Sequence, residues 1–123
     1  GVTVTVSGTS VINGKVEISK SAGNTEPMKL NITGGTFNGD LKVDASVGTE
    51  NAKSIISVSG GTFSDPSVLK YMATNATVDI KLLSNINIAK TELATGYILN
   101  AANATANLNL NGHDIINSSE TAV

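Results

Sequence analysis

Apolar and polar residues alternate with period two in VTVTV (2–6), LNI (30–32), ISV (56–58), TVDIKL (77–82), INI (86–88) and LNL (108–110). Alternation of this kind sends successive side chains to opposite faces of an extended strand, and helical spacing is rare elsewhere in the chain. The strands also recur. Aligning 4–18, 30–44 and 56–70 superposes Gly8, Gly34 and Gly60 at one constant interval, and two further intervals reach Gly112 in LNLNGHDI, with Ile86 at the intermediate place. An apolar column follows through Val4, Leu30, Ile56, Leu82 and Leu108, and a second through Val6, Ile32, Val58 and Leu110, with Ser84 as the exception. Short strands punctuated by Gly and Asn turns at a fixed interval predict an all-β fold, a parallel β-helix (solenoid) of about five coils of 26 residues. The general preference of parallel crossovers makes it right-handed.

The phrase GGTF occurs twice, at 34–37 and 60–63. In this register Phe37 and Phe63 share a column, with Val11 before them and Ala89 and Ile115 after, so the pair is expected to form a stacked aromatic step inside the coil. The preceding glycines supply a corner in which a residue with a Cβ is strained. SDPSVLKYMA (64–73) departs from the pattern. Ser64 or Asp65 can cap a helix, Pro66 suits its first position, and Val68, Leu69 and Met72 fall on one face, so a short helical insertion is predicted near 65–73.

Thr, Ser and Asn make up 41 of the 123 residues and aromatics only 3%, which leaves stacked Val, Ile and Leu as the core material. The length suits a single β-solenoid domain over 1–123, expected to be a segment of a longer protein because neither terminus reads as a cap. Net charge is -2 with eight Lys, no Arg and no basic cluster, so no nucleic-acid partner is expected. No apolar run is long enough for a membrane span. Cysteine is absent, which excludes a disulfide framework and a thiolate metal site. The four N-x-S/T sequons, at Asn31, Asn75, Asn103 and Asn117, are no more than an Asn-, Ser- and Thr-rich composition produces.

LNLNGHDI (108–115) resembles the L-x-L-N-G-H-x-I coil of right-handed β-helix proteins of the pectin-lyase-like group in bacteria. SGGTFS followed by TVDIKLLSNINI is similar to extracellular repeat proteins of gut bacteria and their phages. The resemblance implies the solenoid fold and an extracellular, cell-surface or virion-surface location. Enzymes of the group cut acidic polysaccharides, and the likeness would imply an Arg base with calcium-binding acids, or clustered acids. Arg is absent, and the acids scatter across the register. Asp40 aligns with Glu92 two coils away, about 9.6 Å at best, near the upper limit for a paired-carboxylate mechanism. Asp44 falls over Lys70 as a surface ion pair. His113 belongs to a turn, and with Asp114 beside it supplies too few ligands for a metal. Asn13, Asn38, Asn85 and Asn111 sit near corners, where Asn tolerates left-handed backbone and its amide can bond the next coil.

No catalytic residue, metal ligand or cofactor is therefore expected. Tyr71 and Tyr97, separated by the same constant interval, are the candidate glycan contacts, because an unbroken register would stack them into an aromatic platform. The function expected is that of a non-catalytic structural or adhesive segment of an extracellular bacterial surface protein or phage fibre. Its partners would be surface glycans or neighbouring repeats, with end-to-end or homo-oligomeric association. The alternative is a fragment of a polysaccharide lyase or glycosidase β-helix, or a glycan-binding module.

Overall fold

A computed structural model describes residues 2–19, 28–44, 47, 55–88, 99 and 101–117. The chain winds through short strands and returns to each face in turn. The first coil carries β1 (Thr3–Val6), β2 (Val11–Ile12) and β3 (Val16–Ile18), and the second β4 (Lys29–Ile32), β5 (Thr36–Phe37) and β6 (Leu41–Val43). The third has β7 (Ile56–Val58) and β8 (Thr62–Phe63), followed by a 3-10 helix, Pro66–Tyr71. Beyond it come β9 (Thr77–Lys81), β10 (Ile86–Ile88), β11 (Thr105–Asn109) and β12 (Ile115–Asn117). Strands from successive coils lie side by side in the orders β1-β4-β7, β2-β5-β8-β9-β11, β3-β6 and β10-β12. Each strand pairing is parallel. The molecule is a parallel β-solenoid, as the alternation predicted.

The core fills the inside of the coils, where Ile32, Val58, Phe63, Val68, Val78 and Leu82 are all but inaccessible. Each such side chain withdrawn from water contributes about 1.5–3 kcal/mol. Phe37 and Phe63 pair across β5 and β8, and their rings stack with centroids 4.9 Å apart and planes 9° apart. That separation matches the rise between neighbouring strands, about 4.8 Å, so the register itself sets the stack. The corner before Phe63 needs both its glycines. Gly61 has φ +115, and a Cβ on Gly60 would lie 2.5 Å from the Thr33 carbonyl oxygen of the coil below.

The expected even period fails in three places. Val4, Leu30 and Ile56 do share a column. Between Val6 and Ile12, however, the first corner holds one residue more than its counterpart between Ile32 and Phe37, so Ile12 pairs with Phe37 and Val11 with Thr36. Val11 accordingly points outward and is exposed. The second break follows β8. The 3-10 helix takes the place of a third strand, and the chain returns to the first face as soon as Met72, which bridges Val58. Phe63 therefore pairs with Ile80, well short of the interval that separates Phe37 from Phe63. The third break is a longer last coil: Thr77 pairs with Thr105 and Ile80 with Leu108, two positions beyond the expected interval. The Phe column thus continues through Ile80 and Leu108, while Ile115 pairs with Ile86 and Ala89 lies outside the described residues. Leu82 and Leu108 consequently leave the Val4 column. The first sheet completes about three regular turns where five had been expected, and two irregular rungs extend the second sheet.

The helix lies where the sequence put it, but it belongs to the coil instead of riding on it. The Asp65 carboxylate accepts from the Ser67 N–H at 3.0 Å, and Pro66 opens the helix with no N–H to satisfy. In a 3-10 helix residues three apart eclipse, so Val68 and Tyr71 turn to the core together.

Candidate functional site

β3 and β6 form one short sheet and β10 and β12 another. In each coil these strands follow a strand of the second sheet, so both sheets belong to the third face of the solenoid. The 3-10 helix stands between them, where the third coil would otherwise have supplied the joining strand. A groove of about 300 Å3 opens at this interruption. The second coil lends it Asn38, Asp40 and Lys42, the third Ser64 and Asp65, and the fourth the run from Leu83 to Asn87.

Three of these side chains are held at one atom and leave another without a partner among the described residues. The Asn38 amide donates to Asn13 Oδ1 at 2.8 Å, which leaves the Asn38 carbonyl oxygen. Asp65 Oδ1 accepts from Ser67, which leaves Oδ2. Asn85 Oδ1 accepts from the Asp114 N–H at 2.9 Å, which leaves the NH2 group. Two bonds between coils and one helix cap thereby fix donors and acceptors around the groove before any ligand arrives. Leu83, 47% exposed, adds an apolar flank.

A second concavity, about 380 Å3, follows the glycine corner past Thr9, Thr36, Thr62 and Thr77 to Asp79. Its floor is the glycine column that coil stacking already requires, and Asp79 Oδ1 accepts from Asn107 Nδ2 at 3.1 Å. The groove on the third face has the richer set of unused polar atoms.

The residues singled out in the sequence are dispersed. Tyr71 is 6% exposed, packs in the core and has the Lys70 ammonium 5.2 Å from its ring centroid, so its ring offers no open shelf to a sugar. Burial, and secondarily the negative charge of Asp65, raises its hydroxyl above the ordinary value near 10. Tyr97 and Glu92 lie outside the described residues, and with them the Tyr71–Tyr97 platform and the Asp40–Glu92 pair. Asp40 lines the groove with Asp65, which the regular pairing of Phe37 with Phe63 brings one coil above Gly39. His113 is a turn residue, its N–H donating to the Leu110 carbonyl at 2.9 Å. Asn111 has φ +50, and its amide reaches the Leu82 carbonyl at 3.0 Å. Asn13 and Asn38 form the expected amide ladder. Among the described residues no three His, Cys, Asp or Glu side chains gather as metal ligands, and no helix is long and apolar enough to cross a membrane.

The groove was hidden because it depends on the early return of the chain after the helix. A signal for the later register was present: Asn75-Ala76-Thr77 recurs as Asn103-Ala104-Thr105, at the spacing of the longer last coil. Both asparagines have positive φ, 63° and 56°, and the Asn75 N–H donates to the Ala102 carbonyl. Among known proteins, no family model, curated protein or solved structure matches the chain.

Proposed function

We propose that the chain is a non-catalytic structural and adhesive β-solenoid segment of an extracellular bacterial surface protein or phage fibre, of the right-handed pectin-lyase-like type. One observation carries this reading: outward polar side chains stack in rows over a continuous apolar core. Thr36 pairs with Thr62, Asn31 with Ser57, Thr77 with Thr105 and Asp79 with Asn107. Hydroxyls and amides therefore repeat at about the strand spacing of 4.8 Å along a stiff rod. A single such contact in water is weak, but several made at once by a repetitive polymer add through effective concentration. The purified chain should be retained on immobilised surface polysaccharide and should leave the polymer intact. Release of reducing ends or unsaturated sugar would overturn the non-catalytic part of this reading, and failure to be retained on any polysaccharide would overturn the adhesive part.

The alternative, a fragment of a lyase or glycosidase, draws on Asp40 and Asp65 lining one groove. Paired carboxylates about 5–9.5 Å apart are the minimal equipment of glycoside hydrolysis. Under this alternative the chain would release sugar and an Asp40→Asn, Asp65→Asn double variant would not.

A further inference from the structure

We infer that the groove on the third face is a binding site for an uncharged sugar, one or two rings in size. The inference rests on the adhesive reading above and names the ligand class for one place on the rod. Its volume, about 300 Å3, lies at the lower end of the range of about 300–1,000 Å3 that small-ligand sites occupy. A sugar hydroxyl both donates and accepts, and the groove offers both functions from side chains that are already anchored. Among the described residues Asn38 and Asp65 keep free acceptor oxygens, and Asn85 keeps a free NH2. Because bonds within the coil stack hold these groups, little side-chain freedom is lost on binding. Leu83 gives the C–H face of a ring an apolar surface to cover.

Charge selects the class further. Asp40 and Asp65 oppose Lys42 alone, so the lining carries a net negative charge. Uronates and other anionic sugars would bring a second negative charge to that lining, whereas an uncharged ring meets only hydrogen-bonding groups.

The test is an amide NMR titration of the 15N-labelled chain with glucose, galactose, mannose, N-acetylglucosamine and their disaccharides, against galacturonate oligomers as the charged control. Shifts at 38–42, 64–65 and 83–87 with an uncharged sugar, and none there with galacturonate, are expected. Asp40→Ala, an exposed change, should weaken that binding about tenfold, the loss expected for a hydrogen bond to a charged group. An unchanged melting temperature would show that the variant is folded. Galacturonate binding in the groove more tightly than every uncharged sugar would overturn the inference. So would sugar-induced shifts confined to the Thr36 and Thr62 row, although the adhesive reading would then stand. An absence of shifts anywhere, with every sugar, would overturn the inference, while the adhesive reading would still be decided by retention on immobilised polysaccharide.

Discussion

Phe37 and Phe63 are half of the aromatic rings available to Phe and Tyr in this chain, and they lie face to face in a core built, Tyr71 and Met72 apart, of aliphatic side chains. Removing one ring leaves a cavity that the neighbouring coils cannot close, because hydrogen bonds to adjacent rungs fix their spacing. Phe63→Ala should therefore cost about 3–5 kcal/mol, measured by denaturant unfolding, and a cost below about 1 kcal/mol would show that the stack does not support the core. The glycines allow a sharper comparison. A Cβ at Gly60 would press on the Thr33 carbonyl, which belongs to the backbone of the next coil and cannot swing away, whereas a Cβ at Gly14 meets nothing within 4 Å. Gly60→Ala should destabilise by about 1–3 kcal/mol. Gly14→Ala should be neutral or slightly stabilising, because it only restricts the unfolded chain. Equal melting shifts for the two variants would contradict the coil contact. Both features were legible in the sequence, since GGTF is written twice at the interval that one turn requires.

The 3-10 helix is the element that sequence periodicity located but could not interpret. Asp65, Pro66 and the apolar positions after them announce a helix by local chemistry alone, and local chemistry does not say whether a helix sits on a coil or replaces part of one. That choice is made by packing: Val68 and Tyr71 are buried, and Met72 bridges Val58 after little more than half a regular turn. Extrapolating the early interval across this segment misplaced the strands after it, including the wall of the groove that the fourth coil contributes. The repeated Asn-Ala-Thr was the surviving clue to the last coil, because positive-φ corners favour Asn and stacked corners repeat their residues. The helix can be probed through Tyr71, whose hydroxyl is raised above the usual value, first by burial and then by the charge of Asp65. The unfolded chain loses this proton near pH 10 and the folded chain only at higher pH. The folded state is thus the better proton binder in that window. The stabilisation is fully present below pH 10 and is lost as pH rises through the folded value. In a Tyr97→Phe background, phenolate absorbance should report a Tyr71 midpoint above 10. Asp65→Asn keeps a capping oxygen but removes the charge, so it should lower that midpoint without returning it to 10, because burial is the larger cause. A midpoint at the unperturbed value in both proteins would mean that the ring is not in the core.

At the scale of the whole molecule, the inner coils and the outermost described rungs differ in how far they close off their inward residues. In the middle coils the inward residues are closed off, with Leu30 at 4% and Ile80 at 2% exposure, whereas their column partners Val4 and Leu108 in the outermost described rungs stand at 39% and 52%. Among the described residues each of these end rungs pairs with a neighbouring coil on one side only. Among the described residues the β1 and β11 edges have one partner strand each, and the N–H and C=O groups on their other side point away from it. All strands are parallel, so the two ends are complementary in direction. The outer face of β11 could receive β2 of a second copy in the same orientation in which β2 receives β5, and Leu108 would then cover Ile12. Such contact is heterologous and does not close, which makes it a route to chains of copies instead of a fixed dimer. The expected result is a sedimentation coefficient that rises with protein concentration. Charged substitutions at both ends, Val4→Lys and Leu108→Lys, should abolish the rise at a cost in stability of no more than about 1 kcal/mol, because both positions are already substantially exposed. A concentration-independent monomer would show that the apolar ends do not drive this chain onto itself, and the adhesive rod would then act as a single copy.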